Sequence, residues 1–196
     1  MKKMKKLLIA TLVILFLATG AFAAYKFWPK VKVVKISGYS YTLDGSETKL
    51  YKSYFKKLQA ILIKEPIDEE EYAKAISKIF IADFYDLNNK KSNTDIGGTQ
   101  YILASAKDNM VLKAKKTLYK YIENDMNNDR DQELPIVTSV TVNSVKSVAF
   151  EYNSTTDSKA YEIGVTWTYK KDLGYQTQAT ITLVHEDNKL SIASLE

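Results

Sequence analysis

From Leu50 onward apolar residues recur at intervals of three and four: Leu50, Tyr51, Tyr54, Phe55, Leu58, Ile61 and Leu62. That spacing lines one face of a helix, predicted over residues 47–64 and stopped by Pro66. A second helix is predicted over residues 69–87. Asp68 followed by Glu71 is close to a capping box, and Glu69, Glu70 and Glu71 suit the positive end of a helix dipole. Its apolar face is Tyr72, Ile76, Ile79, Phe80 and Phe84. Residues 88–93 read as a polar loop, Ile96-Gly97-Gly98 as a tight connection and residues 99–104 as a short helical piece. A third helix, capped by Ser105 or Asp108, carries Met110, Leu112, Leu118, Tyr119 and Ile122 and is expected to end near Asp125.

Past Pro135 the period falls from about 3.6 to 2. Residues 136–152 alternate around Val140, Val142, Val148 and Phe150, with a slip near Val145 that predicts a bulge. Residues 160–171 put Tyr161, Ile163, Val165, Trp167 and Tyr169 on one face. Residues 175–185 alternate likewise, and residues 189–195 form a short last strand. Turns fall at residues 171–174 and 186–188. Ahead of the helices, residues 31–43 are β-branched and aromatic and read as a strand, closed by the Asp44-Gly45 turn. The fold class is therefore α+β: helices, then an antiparallel meander, each strand with one apolar face to set against them.

The N-terminus has a different pattern. Lys2, Lys3, Lys5 and Lys6 precede an uncharged run from Leu7 to Tyr25. At 1.5 Å per residue such a helix nearly crosses a hydrocarbon core of about 30 Å. The lysines hold that end in the cytoplasm and send the remainder outward. Tyr25, Phe27 and Trp28, with Lys26 and Lys30, suit an outer membrane interface, which favours a retained anchor. The alternative is secretion after cleavage between Ala23 and Ala24, since Ala21-Phe22-Ala23 fits a signal peptidase site. The organisation expected is residues 1–30 as tail and anchor, 31–46 as a membrane-proximal strand and turn, and 47–196 as an extracytoplasmic domain.

Charge changes meaning once located. Six of the 28 Lys and Arg lie in residues 1–30, which hold no acid, so 22 basic side chains face 23 acidic ones beyond that point. The basic excess belongs to the membrane end and gives no argument for nucleic acid. The chain has no cysteine, which removes disulfides, thiol nucleophiles and thiolate metal sites together.

Helices followed by a bent antiparallel sheet resemble the cone-shaped NTF2-like fold. With the short tail and single anchor, the order resembles extracytoplasmic NTF2-like subunits of the VirB8 and TcpC type. The resemblance covers residues 45–196 and rests on element order. It implies a non-enzymatic interaction or assembly module at the cell envelope, in a secretion or conjugation complex, with envelope proteins or further copies of itself as partners. An NTF2-like cavity implies the alternative, a small-ligand binder. No cofactor is expected.

Candidate chemistry is sparse. His185, the single histidine, reads as an exposed residue at a strand end, and no nucleophile elbow accompanies it. Asp125, Asn127, Asp129, Asp131 and Glu133 present oxygens at alternate positions, as a calcium loop does. Arg130 stands where glycine is needed and Ile136 where the closing glutamate belongs, so a solvated loop is the plainer reading. Asp68 to Glu71 read as a helix start rather than a site. Gly97-Gly98 lacks a phosphate-binding context and reads as an awkward turn or close helix packing. Phe80, Phe84, Tyr101, Tyr161, Trp167 and Tyr169 can line a cavity in the cone or simply fill its core. Lys49, Lys52, Lys56, Lys57 and Lys64 give the first helix a basic side, suited to anionic lipid, a partner or plain solvation.

Overall fold

The computed structural model describes residues 33–196. The anchor segment and its interface residues, Tyr25, Lys26, Phe27, Trp28 and Lys30, lie outside these. Residues 33–196 form one unit, and the described residues contain no helix long and apolar enough to cross a membrane.

The segment before the helices is a hairpin, not one strand. β1 (Val34–Lys35) pairs antiparallel with β2 (Thr42–Leu43). Gly38, at φ 80, reverses the chain between them, which a run of β-branched residues alone does not reveal. Ile36 and Tyr41 are buried in the main core, so the hairpin belongs to the same unit as the helices.

α1 (Lys49–Leu62) starts at Thr48, whose side chain accepts from the Tyr51 N–H. Tyr51, Tyr54, Phe55, Leu58 and Leu62 are its buried side, the spacing that predicted the helix. α2 (Glu69–Phe84) is capped by Asp68, which accepts from the Glu71 N–H at 3.0 Å. Ten of its sixteen residues are buried, making it the central element of the helical layer. Two 3-10 turns follow, Leu87–Asn89 and Thr99–Tyr101. α3 (Ala104–Lys116) has no side-chain cap, and neither Ser105 nor Asp108 serves as one. It stops well before Asp125. Its last turns unwind at Thr117, because Tyr119 is drawn inward and donates to the Phe84 carbonyl at 2.6 Å.

β3 (Val137–Tyr152), β4 (Thr155–Tyr169), β5 (Gln178–Glu186) and β6 (Lys189–Leu195) form a curved antiparallel meander in chain order. Asn153 and Ser154, both at positive φ, make the β3–β4 turn, and Asp187 makes the β5–β6 turn. β3 carries three register shifts, at Val137/Ser139, Val142/Ser144 and Val148/Phe150. The middle one is close to the slip expected near Val145. Ile163, Val165, Trp167, Ile181, Leu183, Leu190 and Ile192 face α1 and α2 in the main core.

Buried tyrosines join the layers through their hydroxyls. Tyr41 donates to the Leu190 carbonyl at 3.0 Å and meets the Tyr72 hydroxyl at 2.6 Å, and Tyr72 accepts from the Leu190 N–H at 3.2 Å. Tyr51 and Tyr101 meet at 2.7 Å, with Gln100 donating to Tyr51. Burial holds the Tyr41 and Tyr101 hydroxyls far above their ordinary titration range, so these groups serve as neutral fasteners.

Candidate functional site: a groove beneath α3

The six aromatic residues expected to line a cone cavity do not share one. Phe80, Phe84, Tyr101 and Trp167 are buried core. Phe80 stacks on Phe84 with centroids 5.0 Å apart, and Trp167 packs on Tyr85 at 4.3 Å. Tyr161 is half-buried beside Glu69 and His185, while Tyr169 donates to the Gln176 carbonyl at 2.9 Å. Large aromatic rings fill the space that smaller residues would have left open. Among these six only Phe84 borders a groove, and that groove lies elsewhere.

The groove runs between α3 and the end of β6 and measures about 500 Å³. Ala106, Met110 and Ala114 form its helical wall, and Leu118 just past the helix, Ala193, Leu195 and Phe84 add apolar surface. Asn109, Lys113, Thr117, Gln176, Ser194 and Glu196 add polar groups. The spacing along α3 is helical, but the stripe is thin: Ala114 is the one buried residue of the helix. Leu112, on the outer side of α3, is half exposed at 50%. A 13-residue helix this lightly buried leaves room beneath it. Sequence reasoning missed the groove because its walls come from separate segments and are mostly small or polar. The available signal was α3 itself, with Met110 and Leu118 at helical spacing and few apolar companions.

The other candidates resolve into structure. Asp125 accepts from the Arg130 N–H at 3.2 Å and faces the Lys91 ammonium at 3.5 Å. Asp125 is thus committed to its own chain, and no group of three metal-binding side chains occurs among the described residues. Arg130 is nearly buried and donates to the carbonyls of Lys90, Asn88 and Glu123, fastening two loops that read as merely solvated. On α1, Lys52 donates to the Gly45 carbonyl at 2.6 Å and Lys57 lies over the Tyr54 ring. Gly97-Gly98 does serve close packing, against the end of α2: the Gly98 N–H donates to Asp83 at 2.6 Å, and Asp83 also holds the buried Lys90 ammonium.

His185 is better connected than a free strand end. Its Nδ1 and its backbone N–H both lie 2.8 Å from Asp157 Oδ2, and its Nε2 is 3.6 Å from Glu69. Burial raises the Asp157 carboxyl, but the N–H groups of His185 and Lys159 and the imidazole outweigh it and hold the pKa below the usual range. This support for stability is present above the ordinary carboxylate pKa and is lost as pH falls through the lowered one. His185→Phe is expected to cost about 1 kcal/mol at pH 7. Urea unfolding checks this, with the difference shrinking as Asp157 is protonated. Among the described residues no nucleophile is hydrogen-bonded to the imidazole in the way a hydrolytic triad requires.

No family model, curated protein or solved structure matches the chain.

Proposed function

We propose that the protein is a membrane-tethered, extracytoplasmic module that holds another protein at the cell envelope, without catalysis. The groove beneath α3 carries the reading: an apolar floor with a polar rim, left open beside a sheet face that is otherwise filled. The lysine-led uncharged run at residues 2–25 supports export and tethering. The order of helices and curved meander supports an NTF2-like cone and, by resemblance, a place in a secretion or conjugation assembly. A photo-crosslinking residue at Asn109 or Met110, both on the groove, introduced in the source cells, tests it. Discrete crosslinked protein species are expected from both positions and not from Thr141 on the far strand. Their absence at both helix positions overturns the proposal.

The second reading is a small-ligand binder. The groove volume, within the ~300–1,000 Å³ of ordinary ligand sites, favours it. A small molecule that co-purifies with the intact chain and is displaced by Ala106→Phe would establish it.

A further inference from the structure

The outer edge of β6 is covered for half its length. Ile102 lies beside Ile192 in a parallel bridge, and the Leu103 N–H donates to the Ile192 carbonyl at 2.8 Å. There the chain turns away into α3. Further along, Thr180 and Glu196 exchange both backbone hydrogen bonds, at 2.8 and 3.0 Å. In an antiparallel pair these exchanges alternate, so the intervening Leu195 turns its N–H and C=O away from β5. Leu195 also lines the groove. The groove therefore has a strand edge as one wall and an amphipathic helix as the other. The open edge from Ala193 to Glu196 is about 10 Å long at ~3.3 Å per residue.

α3 as a whole is basic. Lys107, Lys113, Lys115 and Lys116 lie on α3 against one acid, Asp108. None of the four lysines is in an ion pair among the described residues, whose paired lysines are Lys74, Lys90, Lys91, Lys146, Lys171 and Lys189. Of the four, Lys113 alone lines the groove. The one acid lining the groove is Glu196, which accepts from the Ser194 hydroxyl at 3.3 Å.

We infer that an extended, acidic segment of a partner protein occupies this groove as a strand added to β6. Its backbone pairs with Leu195 and continues the addition that Ile102 and Leu103 begin. Its apolar side chains, alternating with the acidic ones, rest on Met110 and Leu118, and a carboxylate meets Lys113. Strand addition draws affinity from backbone hydrogen bonds and specificity from alternate side chains, and both elements are laid out here. The inference rests on the assembly reading and names the chemistry of its partner.

The probe is an end-blocked ten-residue peptide of alternating leucine and aspartate carrying a fluorophore, titrated against the full chain in detergent micelles and read by anisotropy. Saturable binding is expected, together with at least ten-fold weaker binding of the lysine-for-aspartate peptide and of a peptide N-methylated at alternate residues. Lys113→Glu and Leu195→Pro are each expected to weaken the acidic peptide ten-fold or more. Proline at 195 removes an N–H that faces outward and leaves the pairing with β5 intact. If circular dichroism shows that this variant misfolds, Ala106→Phe takes its place by filling the groove. Absent binding, equal binding of the lysine peptide, or indifference to Lys113→Glu and to the groove variant overturns the inference. Crosslinks from Met110 to a helical or neutral stretch of a captured partner overturn it too, while leaving the assembly reading standing.

Discussion

Gly97→Ala is expected to destabilise the protein by about 3 kcal/mol, the upper range for overpacking against atoms that cannot move aside. A β-carbon at this position meets the backbone carbonyl of Asp83 and the Lys90 ammonium. The backbone of the Asp83 turn belongs to α2, whose neighbours Phe80 and Phe84 are packed in the core, so it does not yield. Displacement of Gly97 also pulls on its N–H bond to the Tyr119 hydroxyl, 3.2 Å, and on the buried Lys90–Asp83 pair, whose loss leaves a charge unmatched. Gly97 is not among the glycines at positive φ, so the penalty is steric. Gly38→Ala separates the two effects: Gly38 has φ 80 and open space around it, and its replacement is expected to cost about 1 kcal/mol from backbone conformation alone. Urea unfolding of both variants reads the difference, and equal costs would refute the steric account.

Thermal stability is expected to rise as pH falls from 7 toward 5, contrary to the usual behaviour of a domain rich in acids. The cause is Asp86. Its carboxylate is 2% exposed and accepts from the N–H of Asn89 at 3.3 Å and of Val137 at 3.2 Å. Burial raises its pKa to about 6. The two N–H groups and Lys90 pull the other way but do not cancel it, and Asp83 adds to the rise. A carboxyl whose folded pKa exceeds its unfolded value of 3.8 favours unfolding at neutral pH. Protonation removes that penalty progressively between about pH 6 and 4, at most about 3 kcal/mol for a shift of about 2 units. Below this window the sign reverses, since Asp157 and Glu186 have lowered values and their support is lost on protonation. The melting temperature is thus expected to peak near pH 5. Asp86→Asn should flatten the rise between pH 7 and 5 and leave the acid-side fall unchanged. A wild-type profile level over that interval would exclude this role for Asp86.

Both residues illustrate what local pattern reveals and what it conceals. The helical spacing of Tyr51, Tyr54, Phe55, Leu58 and Leu62 and the alternation of Ile163, Val165 and Trp167 are visible because packing repeats with the period of the element. Asp68 is legible as a cap because its partner, the Glu71 N–H, is three residues away. Partners farther off leave no such trace. Residues 88–93 and 124–133 read as polar loops, yet Lys91 holds Asn128 and Arg130 holds Asn88. Composition does not distinguish a charge paired across 40 residues from one in water. The same limit applies to α3, where the seam continues in sequence to Ile122 but the helix yields at Thr117 to the tertiary pull on Tyr119. Alternation also identifies which face of a strand turns inward, not whether that face is filled. Trp167 therefore fitted a cavity wall as well as the core it forms.

The three register shifts along β3 bear on whether one copy of the sheet can extend another. A 16-residue border strand with no second strand along its outer side among the described residues is a template on which a second sheet can grow, even with the Val137 and Val140 N–H groups held by Asp86 and Tyr54. The register shifts divide it into runs no longer than Ser139–Val142 and Ser144–Val148. An incoming strand finds at most five rungs before the spacing fails. Growth of one molecule upon the next is halted by geometry rather than by charge. Two copies meeting side by side would then stay separate along this border.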